Sequence, residues 1–323
     1  MDWNNLLTGL DRHTLDGITR GSIYALVALG YTMVYGVMKL INFAHSEVFM
    51  VGTWTVLGVY TLIGATTGMG VGMIILASVV ALLAAMLASA ATALAVERIA
   101  YRPLRKKGAP PLIFLITGIG CSMVLVETFG QVLKAAFGAP FGRVLVDIPV
   151  ILPTKVLFTI PGVDLAITNT RVIIILGAIL MMLALDFFVN KSRLGRGVRA
   201  VAQDPDTASL MGVNRERVIM LVFVLGGAMA GVAALLYTIQ YDSTKFDVGF
   251  IIGLKAFTAA VLGGIGNLRG ALVGGLILGI VEVYGSALWD SSWTNVFAFV
   301  VLVLVLMFRP TGLLGESLGK ARA

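Results

Sequence analysis

GITRGSIYALVALGYTMVYGVMKLINFAHSEVFMVG, residues 17–52, decides how the chain is read. A run of about 20 apolar residues suffices to cross a bilayer. Residues 17–38 supply one, and a second opens at residue 46. Between them INFAHSE, residues 41–47, places an amide, an imidazole, a hydroxyl and a carboxylate almost in succession. An ionised side chain at the centre of a membrane helix costs about 2.5 to 3.5 kcal/mol on insertion scales, so such groups normally face protein or a watery path. The plainer alternative has Asn42 capping a helix and Glu47 resting at headgroup level.

Composition extends this reading to the whole chain. Of 323 residues, 58% are hydrophobic and 13% charged, against about 25% charged in soluble domains. The expected fold is an all-α polytopic membrane helix bundle in one domain, residues 1–323, with no room for a folded extramembrane enzyme. Candidate spans fall at 17–38, 46–64, 71–96, 111–137, 171–190, 217–240, 250–266, 270–289 and 292–308. The last three are short and interrupted by glycine, so one is a candidate re-entrant half-helix and the count stands at eight or nine. The polar residues Asp2, Asp11, Arg12, His13 and Asp16 precede the first span, without the basic start of a cleaved signal peptide.

Charge gives the orientation. With the loops assigned alternately, one side carries 16 basic residues, among them Lys39, Arg98, Arg102, Arg105, Arg196, Arg199, Arg215 and Arg269. The other carries six: Arg12, Arg20, Arg143, Lys155, Arg171 and Lys245. The positive-inside rule makes the first side cytoplasmic. The net charge of +7 is thereby distributed over span ends, and no basic face for nucleic acid remains. The INFAHSE turn falls on the cytoplasmic side, so Asn42, His45 and Glu47 would act at an inner gate.

Two loops are long. The outer one, about 138–170, holds Pro140, Pro149, Pro153 and Pro161 among alternating apolar residues and reads as short strands or turns. The inner one spans 191–217. There Asp204 followed by Pro205 is a helix start, because the carboxylate accepts first-turn amides and proline is fixed at a helical φ. Gly212 is a stop. The helix between them presents Ala208, Leu210 and Met211, is too short to be stable alone in water, and is flanked by Arg196, Arg199, Arg215 and Arg217. It suits either a docked partner protein or a connector whose arginines hold lipid phosphates.

Three separated blocks carry a resemblance: residues 17–52, the RLGRGVRA…ASLMGVN loop, and KAFTAAVLGGIGNLRGALVGGLILGIVE near the end. Together they resemble the LivH-type permeases of branched-chain amino-acid ABC importers, over about residues 17–315. Ser46 departs from the family, which typically has glycine after the histidine. The resemblance implies a permease in the bacterial inner membrane that pairs with a second, related permease, stands on two cytoplasmic ABC ATPase subunits and receives substrate from a periplasmic binding protein. It makes 204–212 the coupling helix, with Arg196, Asp204, Pro205, Ala208, Leu210, Met211 and Gly212 as coupling residues. Relatives of this class serve branched-chain and other amino acids, urea or short amides, and more distantly sugars.

The chain itself lacks a motor. GESLGK at 315–320 is one residue short of a phosphate loop and is followed by Ala321, and Gly264, Gly266 and Gly270 miss the dinucleotide fingerprint by one position. His13, His45 and Cys121 offer neither a metal set nor a disulfide, and His45 and Glu47, two apart, point different ways on a helix. No cofactor, metal or catalytic residue is expected.

For the substrate path, Tyr24, Ala28, Tyr31 and Tyr35 form one helical stripe. Asn42, His45, Glu47, Lys255 and Glu282 complete the candidate set, each with a packing or snorkelling alternative. Glu127 is a further intramembrane charge, and Asp186 is expected to pair with a loop arginine. Gly227/Gly231, Gly270/Gly274 and Gly275/Gly279 have the four-residue spacing of closely packed membrane helices, while a break at GGIG would leave helix ends free to orient a zwitterion. The competing function is a self-sufficient secondary transporter or channel for a small polar solute such as urea or short amides, with Glu127, Lys255 or Glu282 as the ion relay.

Overall fold

The structure, a computed structural model, describes residues 3–138, 144–160 and 165–315. After a short α1 (Trp3–Thr8) the helices are α2 (Leu10–Met38), α3 (His45–Ile63), α4 (Val71–Val96), α5 (Arg102–Lys106), α6 (Pro111–Phe137) and α7 (Asn169–Lys191). Then come α8 (Arg193–Gln203), α9 (Pro205–Leu210), α10 (Arg215–Tyr241), α11 (Val248–Gly263), α12 (Leu268–Leu288) and α13 (Thr294–Phe308). Seven helices, α4 counted with its extension to Lys106, are long and apolar enough to cross a membrane. The two shorter apolar helices, α11 and α13, have 16 and 15 residues; at 1.5 Å per residue each falls short of a 30 Å hydrocarbon core.

The apolar runs set these limits closely, and the differences have local causes. The first helix starts at Leu10 because its polar opening turns are tied down: Asp16 pairs with Arg171 at 2.5 Å, and Thr14 bonds the Tyr284 hydroxyl at 2.7 Å. The fourth helix does not stop at Val96. It passes through a π turn, Glu97–Tyr101, into α5. Most of the inner loop before Asp204 is α8, with Ser192 as N-cap and Val198 and Val201 buried.

The outer loop contains two small antiparallel pairs. β1 (Val146–Asp147) joins β4 (Ser243–Thr244), and β2 (Val156–Ile160) joins β3 (Leu165–Thr168). Pro140, Arg143 and Pro161, like Lys320, Arg322 and most of GESLGK, lie outside the described residues.

Five helices, α2, α3, α10, α11 and α12, form the interior, and α4, α6, α7 and α13 surround them with apolar outward faces. The helix α4 shows why: Ala77, Ala81, Ala85, Ser89 and Ala93 recur every four residues and are buried, while Leu76, Val80, Leu83 and Leu87 are exposed. Small residues on the inner stripe let α10 approach, with Gly231 against the Ala85 backbone. At Gly275, in α12, an added Cβ would lie 2.6 Å from the Ala25 Cα of α2. We therefore expect Gly275→Ile to force these helices apart, lowering stability by roughly 1–3 kcal/mol or more. The check is the detergent thermal midpoint, and an unchanged midpoint would contradict this packing.

The chain after α13 folds back under the bundle. The Leu313 and Leu314 amides donate to the Leu262 and Gly263 carbonyls at 2.8 and 3.0 Å, and the Asn267 amide donates to the Leu314 carbonyl at 2.8 Å. Asn267 Oδ1 also accepts from the Arg269 and Gly270 amides. Both helix ends at GGIG are thus capped by protein, and the expected free ends for a zwitterion are absent there. Sequence-distant residues 313–314 supply the cap.

Candidate functional site

The expected path residues separate into two buried clusters. The first is the INFAHSE turn. His45 packs into the gap left by Gly30, where an added Cβ would sit 2.1 Å from His45 Nε2, and Gly226 of α10 packs on the Gly30 backbone, its added Cβ 3.2 Å from the Gly30 carbonyl oxygen. Gly30 precedes the end of α2 by eight residues, a depth of about 12 Å at 1.5 Å per residue. The turn between α2 and α3 therefore reaches deep into the bundle. Glycine-lined holes on other helices make this depth possible.

Within the turn, Asn42 Oδ1 accepts from the Ala44 amide and the Tyr101 hydroxyl, each at 3.1 Å. The His45 and Tyr31 rings meet edge to face at 4.9 Å. Glu47 is fully buried, so the headgroup alternative fails. Its Oε1 accepts from Ser46 Oγ at 3.2 Å and Ser122 Oγ at 3.1 Å, while Oε2 has no hydrogen-bond partner among the described residues. Ser46 fits because α11 carries glycine opposite: a Cβ on Gly253 would lie 2.2 Å from the Ser46 Cβ. The hydroxyl that sets this sequence apart is spent on Glu47 and the Phe43 carbonyl.

The second cluster joins α2, α11 and α12. Lys255 Nζ donates to Glu282 Oε1 at 3.1 Å, the Tyr24 hydroxyl donates to the same oxygen at 2.9 Å, and Arg20 Nη1 lies 3.8 Å away. Lys255 does not snorkel. It is buried and turned inward to its partner. The tyrosine stripe divides accordingly: Tyr24 serves this cluster, Tyr31 the first, and half-buried Tyr35 neither. Asp186 pairs with Arg269 at 3.3 Å, the expected loop arginine, and Glu127 accepts from Gln131.

A third cluster stands at the end of the bundle where the extension of α4 meets the start of α10. Arg105 Nη2 lies 2.7 Å from Glu97 Oε1 and from Glu216 Oε2, and Arg102 reaches Glu216 at 3.2 Å. It ties the extension of α4 to the start of α10. The sequence offers no signal for it, since the π turn sets the register of Glu97 against Arg105 and Glu216 is more than a hundred residues away. Replacing Arg105 with Met should leave Glu97 buried and unpaired, at a cost of about 3–5 kcal/mol, read as a fall in thermal midpoint that Glu97→Gln partly restores.

Beyond this strut lies the short helix α9. Asp204 Oδ1 accepts from the Asp206 and Thr207 amides at 3.0 and 3.1 Å, Pro205 opens the first turn, and Gly212 ends it at φ +83°. The Thr207 hydroxyl, and then these amides, hold the Asp204 carboxyl below its ordinary value. A depressed folded-state value means that the cap is complete above the usual carboxylate range and is lost only on acidification through the folded value. The face of α9 is divided: Ala208 is buried against the protein, whereas Leu210 is 87% and Met211 80% exposed. Arg199 anchors α8 through the Val189 carbonyl, and Arg196 is exposed beside it.

An apolar bundle with buried polar clusters and a capped helix standing free at one end is the build of a multi-pass membrane permease. Residues 13–306 match the family described as branched-chain amino acid transport system / permease component, and the chain belongs to that family. It is 41% identical over 303 residues to the high-affinity branched-chain amino acid transport system permease protein BraD of Pseudomonas aeruginosa, covering 94% of each chain. It is equally 41% identical to the LivH permease protein of Escherichia coli K12, covering 93% of this chain and 94% of that one. A probable branched-chain amino acid transport permease of Methanocaldococcus jannaschii is 24% identical across 97% of this chain and 95% of its own length. The chain is accordingly a non-catalytic membrane component of a transport system.

Proposed function

We propose that the chain is the membrane-spanning subunit of an ATP-driven importer in the bacterial inner membrane, moving branched-chain or related hydrophobic amino acids. It pairs with a second, related permease, stands on two cytoplasmic ABC ATPases and receives its solute from a periplasmic binding protein. Membrane lipids cover the apolar outer faces of α4, α6, α7 and α13. The observation that carries the reading is α9, with Leu210 and Met211 held out from the bundle on a helix fixed by Asp204. A secondary transporter has no use for such an element, and the 41% identical relatives are named for high-affinity branched-chain amino acid transport.

In this arrangement closure of the ATPases pushes α9, and α8 and the Glu97–Arg105–Glu216 strut pass the displacement to α4 and α10, so that the bundle alternates between outward and inward openings. On this reading Tyr31, Asn42, His45 and Glu47 line the closed path, and Lys255 and Glu282 hold together the helices that border it. The test is reconstitution. The chain with its co-purifying ATPases and binding protein should take up labelled leucine in proteoliposomes only with ATP inside the compartment that faces the ATPases. Uptake by the chain alone, driven by an ion gradient, would refute the reading in favour of the secondary transporter.

A further inference from the structure

Among the described residues, Glu47 differs from the buried carboxylates Glu97 and Glu282 in having no cation. Glu282 is met by Lys255 and Arg20, and Glu97 by Arg105. Glu47 is no more exposed than they are, yet its described partners are the hydroxyls of Ser46 and Ser122, both on Oε1, and Oε2 is left without one. A charge buried this way is costly unless it is paired. The Ser46 and Ser122 that hold Oε1 also line a cavity of about 40 Å³ between α3, α6 and α11, together with Tyr31, Phe43, Phe250 and Leu254, while Oε2 lies against Gly249 of α11. Phe250, one of its lining residues, is exposed.

We propose that Glu47 is the counter-ion for the ammonium group of the transported solute, with the cavity receiving the start of its aliphatic chain. An ammonium group has three donors and no acceptor. The Glu47 carboxylate supplies the charged acceptor, and the lone pairs of the Ser46 and Ser122 hydroxyls, which line the cavity, supply neutral ones. Phe43, Phe250 and Leu254 give apolar contact for a branched hydrocarbon. A divalent metal fits poorly, since it takes about six or more oxygen ligands and no group of three or more His, Cys, Asp or Glu side chains gathers here among the described residues. Ser46 gains a role here: glycine at that position would remove one of the two hydroxyls that orient the carboxylate. The assignment rests on the importer reading above and names the chemistry its path recognises.

The experiment has two arms. In proteoliposomes holding the whole complex, Glu47→Gln should lower leucine uptake at least tenfold while the ATPases still co-purify at the wild-type ratio. In the wild-type permease without ATP, isoamylammonium chloride should slow modification of Glu47 by a hydrophobic carbodiimide at least threefold, read by mass spectrometry, whereas isovalerate of the same shape should not. Wild-type uptake by Glu47→Gln, or a modification rate indifferent to isoamylammonium, would overturn the assignment. If Glu47→Gln fails to assemble, the modification arm decides alone. Failure of the importer reading shows separately, as absence of ATP-driven uptake by the wild-type complex.

Discussion

Leu210→Asp should abolish ATP-driven uptake while the chain still inserts and accumulates at its normal level. The two halves of that result come from one observation: Leu210 is 87% exposed, and Met211 beside it 80%. A substitution that touches nothing in the permease changes its stability by no more than about 0.5 kcal/mol. In a docked complex the same side chain is an apolar anchor, and placing a carboxylate there without a partner costs at least several kcal/mol. At 1.4 kcal/mol per factor of ten, affinity for the ATPase would fall by more than a hundredfold. Co-purification of the ATPases should drop in parallel with uptake. Ala208→Asp is the contrast, since Ala208 is buried and its replacement should damage the permease itself. Normal uptake by Leu210→Asp would remove α9 from the coupling path.

The order and limits of the membrane helices are legible because each rests on a continuous apolar run whose length is a property of the run alone. The helix at Pro205 is equally legible, as Asp204, Pro205 and Gly212 act within one or two turns of each other. What stays hidden has a common cause in sequence separation. The α8 helix, rich in arginine and broken by Gly195 and Gly197, reads as loop until the bundle covers Val198 and Val201. The depth of the INFAHSE turn depends on Gly30, Gly249 and Gly253, which look like ordinary packing glycines in their own helices. Sealing of the GGIG ends needs residues 313–314, some 50 positions away. Ser46, which reads only as a departure from a family pattern, becomes intelligible when Gly253 is seen to leave room for it.

The same separation makes the pairing of Lys255 with Glu282 invisible in one dimension, and its removal should give the second large effect. Lys255→Ala leaves Glu282 buried beside the Tyr24 hydroxyl, with Arg20 at 3.8 Å as the nearest cation. Breaking one side of a buried pair costs about 3–5 kcal/mol, whereas replacing both partners by apolar groups is often neutral. Lys255→Met should therefore lower the thermal midpoint sharply, and Lys255→Met with Glu282→Leu should recover most of the loss. Tyr24→Phe, which takes one neutral donor from the carboxylate, should cost about 1–3 kcal/mol.

This comparison also separates holding from transport. If the pair only binds α11 to α12, the double variant regains uptake along with stability. If the solute exchanges with the pair during passage, stability returns but uptake does not, and the path must then extend from Glu47 to Lys255. These residues lie on different flanks of α11, with Glu47 near Gly249 and Lys255 six residues further on, about 9 Å along the helix. A single ammonium group cannot meet both clusters at once. Recovery of uptake in the double variant is the expected outcome, because every described contact of Lys255 and Glu282 is directed within the bundle.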